Sequence, residues 1–563
     1  MTCRVGCGVA LSSLLLASGG SANGQETQRV SVDSAGAESN GDCYASGAVF
    51  SANGRFVAFA SATSNLVAND TNGFTDVFVH DRSTGITERV SVDSAGVESD
   101  ADSSNWQFAI SADGSCVTFV SAATNLVAND TNQYEDVFVH DRGTGSTERV
   151  SIDSTGGQAA GGPFWPGYSS LSISADGRIV AFGGYAANLV TGDTNGTFDV
   201  FVHDRVTGVT ERVSVDSSGT EANDASGSPA ISADGRFVAF NSVATNLVPG
   251  DGNGRCDAFV HDRTTGVTER ISVDDSGAEG DGDSYPTAIS ADGRFAAIVS
   301  DATNLVAGDT NGDTDVFVHD RLLVTTERVS IATSGSEATG ASTTASLSAD
   351  GNLVVFESAA TDLVTGDTNG AHDVFRHDRT TGVTERVSVD SSGNEGPIDS
   401  YGGAISGDGR VVAFESAAAS FVANDTNGCF DLFVRFGGPA SATNYGVGVP
   451  GTQGVPSLTS QLPVLGTTIT VAVGNSLGAP TVGILFLGYQ QAQLPTHFGG
   501  DLLLLPALVV PISFSYGSDS VTASLPDDDV LCGVTVDLQA VEADPGAVKG
   551  VSFTAGLELV LGR

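Results

Sequence analysis

Seven times along this chain an Asp-x-Asn triplet stands shortly before a further Asp. The copies are Asp70, Asn72, Asp76; Asp130, Asn132, Asp136; Asp193, Asn195, Asp199; Asp251, Asn253, Asp257; Asp309, Asn311, Asp315; Asp367, Asn369, Asp373; and Asp425, Asn427, Asp431. Glycine follows the Asn in every copy but the second, which has Gln133. Oxygen donors two residues apart, a sharp turn and another carboxylate close behind make a hard-ligand set of the kind calcium takes. The same letters also write an Asx turn, in which Asp and Asn side chains accept backbone N–H groups and Gly supplies positive φ with no ion. Duplication repeats either chemistry equally well.

A second recurring set is His-Asp-Arg, at His80, His140, His203, His261, His319 and His377, with a decayed copy at Val434-Arg435-Phe436. The spacings are 60, 63, 58, 58, 58 and 58 residues. Neighbouring strand residues point to opposite faces, so His80 and Asp81 diverge. An active site is also rarely built six times. We expect a structural role, with Asp81, Arg82, Glu88 and Arg89 forming opposite-charge pairs across one hairpin.

These residues are positioned by a unit well represented by Tyr285–Val329. It reads as four short strands: Thr287–Ser290, closed by the Asp292-Gly293 turn; Arg294–Ser300, apolar on consecutive residues and so covered on both faces; Asp315–Arg321; and Thr326–Ile331, reached in most copies through a Thr-Gly turn. Such a unit cannot bury its own faces and must stack on its neighbours. Seven units of four strands predict an all-β, seven-bladed β-propeller. The chain opens with a lone fourth-strand motif, Gln28–Asp33, and leaves the last unit after a third strand, Phe430–Val434. The N-terminal strand is therefore expected to complete the last blade and remove its open edge.

The S-x-DG-x-x-(I/V)-A-F hairpin followed by a strand ending in Asp resembles the WD40-like repeats of the TolB type over residues 28–436. That resemblance implies a propeller and no particular activity. The Asp-x-Asn loops look like a shortened version of those in integrin-type propellers and EF-hands, which implies calcium. The first acidic ligand of those families would fall at Ala68, Ala128, Thr191, Pro249, Ala307, Thr365 and Ala423, none of them a carboxylate, so any calcium would be held weakly.

Arg4, the apolar run Val9–Leu16 and the small residues Gly20–Ala22 read as a signal peptide over residues 1–22. No later stretch has the length of uninterrupted apolar sequence that a membrane helix needs. The expected location is secreted, periplasmic or cell-surface. With 24 Lys and Arg against 68 Asp and Glu, the net charge is −44 and the pI about 4.1. This excludes nucleic acid and anionic lipid as partners. Cys43, Cys116, Cys256, Cys429 and Cys532 remain after the leader and form no disulfide framework. Cys43 and Cys429 would lie on neighbouring blades and one face, so the sequence leaves open a bridge that fastens the ring.

A unique site is expected where one copy breaks the pattern. The loops from fourth to next first strand vary most and share a face with the Asp-x-Asn loops. The longest, Gly156–Ser170, contains Trp165 and Tyr168. Trp106, Tyr285 and Tyr401 stand at matching positions elsewhere. Aromatic rings beside carboxylates suit a sugar platform or a cation-binding mouth, although the same rings also serve as channel-rim core. Carboxylates such as Glu279, Asp281 and Asp283 keep open a two-carboxylate glycosidase. Arg255 is a rare base on this face, which argues against lyase or phosphoryl-transfer chemistry. On the opposite face Leu322-Leu323-Val324 replaces the usual polar turn.

Residues 437–444 read as a linker between the propeller, 27–436, and a C-terminal part, 445–563, whose short apolar runs predict a small β-sandwich. Its phrases YGVGVPGTQGVPSL, LPVLGTTITVAVGN, LQAVEADP and GLELVLG resemble a C-terminal domain of secreted planctomycete-like bacterial proteins over Tyr445–Gly562, which implies an exported accessory module. The sequence as a whole reads as a monomeric, exported, non-enzymatic binding or scaffold protein for a protein or glycan, with calcium as the one possible cofactor. The alternative is an extracellular carbohydrate-active hydrolase.

Overall fold

The computed structural model describes residues 26–162, 170–436 and, with short gaps, 441–561. The expected signal peptide, Trp165 and Tyr168 lie outside the described residues, as does the side chain of Trp106. Two compact units are present, Thr27–Arg435 and, from Phe436 onward, the C-terminal part.

The first unit contains seven four-stranded antiparallel sheets among the described residues. In blade 1 the strands are Cys43–Phe50, Phe56–Ser61, Asp76–Asp81 and Ile86–Arg89, innermost to outermost. The innermost strand of each blade touches that of the next, and the last returns to the first, so the ring is closed. Blade 7 is made of Ser400–Ile405, Val411–Ser416, Asp431–Phe436 and the N-terminal strand Glu26–Arg29, as the surplus strand predicts. The Val30 amide continues this seam by donating to the Leu432 carbonyl at 2.9 Å.

The second strands are buried on both faces, as their consecutive apolar residues require. Six blades stack a second-strand Phe on a third-strand Phe, as in Phe59 and Phe78 with centroids 5.8 Å apart; blade 5 substitutes Ile298 against Phe317. Each buried Phe contributes about 1.5–3 kcal/mol, so the blades have similar cores.

The Ser-Ala-Asp-Gly turns, written Ser-Ala-Asn-Gly at Gly54 and Ser-Gly-Asp-Gly at Gly409, do more than reverse the chain. The Ala52 amide donates to Ala112, Ala112 to Ala175, Ala175 to Ala233, Ala233 to Ala291, Ala291 to Ala349, Ala349 to Gly407, and Asp408 back to Ala52, all between 2.8 and 3.1 Å. The result is a closed circle of backbone hydrogen bonds lacing the blades at one end of the ring. Gly54 shows why the turn ends in glycine: its φ is +67°, and a Cβ there would meet Val411 of blade 7 at 2.6 Å.

Sulfur does not fasten the closure. Cys43 and Cys429 are both free. The Cys43 amide reaches the Phe430 carbonyl at 2.8 Å, but its buried thiol turns to the Ser61 hydroxyl at 3.3 Å, and burial pushes it up to about 12. The Cys429 sulfur lies 3.6 Å from the carbonyl of Asn427 in its own loop.

In the C-terminal part a six-stranded sheet and the three-stranded sheet of Leu458–Ser460, Thr468–Gly474 and Ser518–Ser524 share one core, in which Ile469, Val471 and Val473 meet Leu485, Leu538 and Leu557. This is the expected sandwich.

Candidate functional site

The seven Asp-x-Asn loops gather carboxylates around a guanidinium. In blade 1, Arg89 Nη1 lies 3.2 Å from Asp70 and 3.1 Å from Asp76, and Nη2 lies 2.9 Å from Glu98 of the next loop. Arg149, Arg212, Arg270, Arg328, Arg386 and Arg29 likewise hold both aspartates of their loops in blades 2 to 7. Asn72 is fully used by the turn: Oδ1 accepts the Phe74 amide at 3.0 Å, while Nδ2 donates to Asp76 at 2.9 Å and to the Ser99 carbonyl at 3.2 Å. Asp76 is entirely buried and also accepts the Ser91 and Ser99 hydroxyls. Both oxygens of the second Asp are thus engaged and the Asn oxygen is turned onto an amide of its own loop, so the geometry is an Asx turn closed by an ion pair.

The first Asp of each loop is held less completely. Burial, then the charge of the second Asp, raises Asp70 above the usual carboxylate range, and Asp130, Asp193, Asp251, Asp309 and Asp425 respond alike. Asp367 and Asp425 have oxygens without hydrogen-bond partners, and the Asp367, Asp373 and Glu395 carboxylates approach within 4.8 Å of one another. Arg386 already stands among those three, at 3.4, 3.0 and 2.7 Å. The donor set fits a guanidinium better than calcium, which needs six or more oxygens.

The His-Asp-Arg strands are structural. His80 Nδ1 meets the Thr87 hydroxyl at 2.9 Å, that hydroxyl reaches back to the Val32 carbonyl, and burial brings the imidazole down to about 4. The other five copies repeat the His-Thr contact. Arg435 replaces the histidine in blade 7 and bonds Thr27 at 3.0 Å, pinning the N-terminal strand. The expected pairing within one hairpin needs correction. Asp81 takes a two-pronged bond from Arg55 of the second strand, Glu88 is met by Arg142 of the next blade at 2.5 Å, Arg82 caps the Gly54 carbonyl, and Arg89 joins the clamp. Of these contacts only Glu88–Arg142 crosses between blades; Asp81, Arg82 and Arg89 find partners within blade 1.

Glu279, Asp281 and Asp283 each have a separate partner. Glu279 belongs to the Arg270 clamp, Asp281 caps Thr303, and Asp283 accepts the Cys256 amide. The aromatic candidates are also dispersed. Tyr285 and Tyr401 occupy matching positions in blades 5 and 7, opposite Val299 and Glu415.

The group that breaks the repeat most sharply lies between blades 6 and 7. Along the second strands one position reads Ala60, Val120, Gly183, Asn241, Val299, Glu357 and Glu415. Both glutamates are more than nine-tenths buried. Glu357 accepts the Gly402 amide of the neighbouring blade, and burial, then the charge of Glu415, raises it above its ordinary value while His372 opposes the rise. The Tyr401 ring lies against His372 at 5.8 Å and Phe430 at 6.4 Å. Its hydroxyl donates to Asp399 at 2.8 Å, which chiefly, with burial and the nearby carboxylates, pushes it up to about 12. Sequence reasoning found Tyr401 and missed the glutamates; their spacing of one repeat was the signal.

No protein-family model and no curated protein matches the chain. Among solved structures, the putative TolB from Agrobacterium tumefaciens is similar over 51% of this chain and 80% of that one, with 16% identity and a TM-score of 0.32. The RRP9 WD40 repeats are similar over 58% of this chain and 93% of that one, with 9% identity and a TM-score of 0.27. The propeller assignment rests on the seven sheets and their closed ring.

Proposed function

We propose that this protein is an exported, non-enzymatic binding propeller whose ligand, a glycan or protein, sits on the face of the variable loops. The observation that carries the reading is the contrast between spent and unspent groups. The repeated carboxylates and arginines are consumed by internal clamps, whereas the copies diverge on the variable-loop face. The C-terminal sandwich is read as an accessory module of the exported protein. Loop order comes from arginine, so the reading requires no calcium.

A second reading, a two-carboxylate hydrolase, is favoured by one feature. Glu357 is raised by burial and by the charge of Glu415, the kind of separation that distinguishes an acid from its partner base. Both readings are tested by measuring retention and product release with a panel of extracellular polysaccharides and glycopeptides, in millimolar calcium and in chelator. Retention in both buffers without product supports the binding reading. Product release that disappears in Glu357→Gln and Glu415→Gln replaces it with the hydrolase. Retention lost in chelator restores calcium to the loops.

A further inference from the structure

The outer edge of the propeller is sealed by one recurring hydroxyl. The turn after each fourth strand reaches the fourth strand of the next blade, where a threonine directs its backbone amide and carbonyl outward. Six blades satisfy both groups with a single serine or threonine, as Ser34 does for Thr87. In each of them the hydroxyl oxygen accepts the amide at 2.9–3.0 Å, and the hydroxyl group lies 3.2–3.4 Å from the carbonyl to which it donates. Blade 5 breaks this pattern. Asp275 stands in place of the hydroxyl and accepts the Thr326 amide at 2.9 Å, but a carboxylate has no proton to give the carbonyl. Asp275 is exposed, and among the described residues no other hydrogen-bond donor reaches it or the Thr326 carbonyl.

The same strand, Thr325–Arg328, follows the least polar turn of the ring. Where other copies read Ser83-Thr84-Gly85 or Thr264-Thr265-Gly266, blade 5 has Leu322-Leu323-Val324, which are 72%, 63% and 48% exposed. The turn keeps the shape of its polar counterparts. Asp320 Oδ1 accepts the Leu322 and Leu323 amides at 3.0 and 3.2 Å, and the Asp320 carbonyl accepts the Val324 amide at 2.8 Å, the same three bonds that Asp262 makes in blade 4. The apolar side chains are therefore held out in water by a pinned backbone. Two separate changes, one in the turn of blade 5 and one in the turn that leaves blade 4, fall on a single strand edge.

We infer that the outer edge of blade 5, residues 322–328 with Asp275, docks an extended segment of another protein that carries a basic side chain beside an apolar one. The basic group donates to Asp275 and to the Thr326 carbonyl, supplying the protons that the hydroxyl supplies in the other blades. The apolar side chain covers Leu322 and Leu323, and an exposed strand edge is the ordinary landing place for an extended chain. Charge selects the partner. A second copy of this chain would bring net charge −44 and its own Asp275 against the same edge, and an anionic lipid surface would be repelled likewise. The edge lies at the end of the blade opposite the variable loops, so this surface is additional to the ligand face proposed above.

The test is selection of a random peptide library on the full protein, with counter-selection on the double variant Leu322→Thr, Leu323→Thr, followed by fluorescence anisotropy and hydrogen exchange with one enriched peptide. Enriched sequences are expected to place Lys or Arg beside Leu, Ile or Val. The double variant should bind that peptide about tenfold or more weakly, through lost aliphatic contact. Asp275→Ser, which restores the hydroxyl of the other blades, should weaken it roughly two- to fivefold. Both variants carry residues that other blades already use, so neither should melt below the wild type. Hydrogen exchange in the complex should slow at Thr325–Arg328 and stay unchanged in the other fourth strands. Failure of any sequence to enrich over the double variant overturns the docking edge, as does an enriched peptide that binds Asp275→Ser as well as wild type or protects only the variable-loop face. A wild type that runs as a dimer and a double variant that runs as a monomer would replace the foreign segment with a second copy.

Discussion

The Asp-x-Asn loops and the blade boundaries they adjoin come from the same repeat, yet one set is nearly uniform and the other is not. At the loops, an arginine holds two aspartates in every blade. At the boundaries, blade 3 contributes Tyr185 and Phe198, and blades 6 and 7 contribute Glu357 and Glu415, where other copies have mostly small or apolar residues. A clamp that loses one member leaves a buried charge unpaired, so drift there is costly. A boundary residue that faces a ligand is free to diverge provided the strands beneath it stay paired.

The largest way to break this contrast is to remove the centre of a clamp. Asp257→Ala in blade 4 takes from Arg270 its most buried carboxylate, leaving Asp251 and Glu279, and strips the Ser272 hydroxyl and the Asn253 amide of their acceptor. It should lower stability by about 3 kcal/mol, the lower end of the cost of breaking a buried ion pair. Asp431→Ala should cost at least as much, because Asp431 ties Ser31 and Arg29 of the N-terminal segment to the last blade. Urea unfolding measures both. The wild-type midpoint should be the same in millimolar calcium and in chelator; a rise with calcium would mean that an ion competes with arginine for these loops.

The closing blade also shows what the residue order reveals and what it hides. A surplus fourth strand at Gln28 and a missing one after Val434 are enough to place the N-terminus in blade 7, because strand number is counted along the chain. The Asp-Gly turns likewise announce the hairpins through positive φ. The clamp is hidden because its arginine comes from the outermost strand and its glutamate from the following loop, so Arg89 lies 13 residues from Asp76 and the ion pair reads as surface charge. Arg142 and Glu88 are 54 residues apart and meet only once the blades stack. Reading Glu88 as paired within its own hairpin failed for that reason: local alternation fixes the face of a side chain, whereas the neighbouring blade supplies its partner, Arg142. Glu357 and Glu415 escaped notice because a glutamate in a strand ordinarily faces water.

The next effect concerns that pair. Glu357 is raised above the carboxylate value of 4.5, so the folded protein keeps a proton that the unfolded chain has released. Its contribution is fully present below that value and is lost as pH rises through the folded-state pKa. Glu415, Asp399, His372 and Tyr401 share the site and shape the same curve. Glu357→Gln should therefore remove part of the decline in stability on the alkaline side and stabilise the protein at pH 8 by on the order of 1 kcal/mol. Melting temperature followed from pH 5 to 8 in both proteins is the check, and parallel curves would show that Glu357 titrates normally.

A smaller break lies on the opposite face. Val324 has φ +53° where Gly85, Gly145, Gly208, Gly266 and Gly382 take φ near +70°, and Leu322 and Leu323 beside it are 72% and 63% exposed. A β-branched residue in this region is strained by about 1 kcal/mol or more. Val324→Gly should recover roughly that amount by thermal melting. An unchanged melting temperature would mean that the hairpin relaxes without cost.

The smallest effect sharpens the contrast most, because it asks blade 2 to rejoin the pattern. Gln158 already accepts the Thr131 amide at 3.3 Å, as Glu98 accepts Thr71 at 3.1 Å, but it gives Arg149 no third carboxylate. Gln158→Glu supplies one and gives up the hydrogen bond that the Gln158 amide donates to the Asn129 carbonyl. Both changes sit at an exposed site, so the net gain should be no more than about 0.5 kcal/mol, visible at low salt and lost at high salt. If the missing carboxylate is all that separates blade 2 from the other clamps, the variant should melt slightly higher at low salt and lose that gain as salt is added. Equal melting temperatures for the two proteins at low salt would show that Arg149 is already satisfied by Asp130 and Asp136.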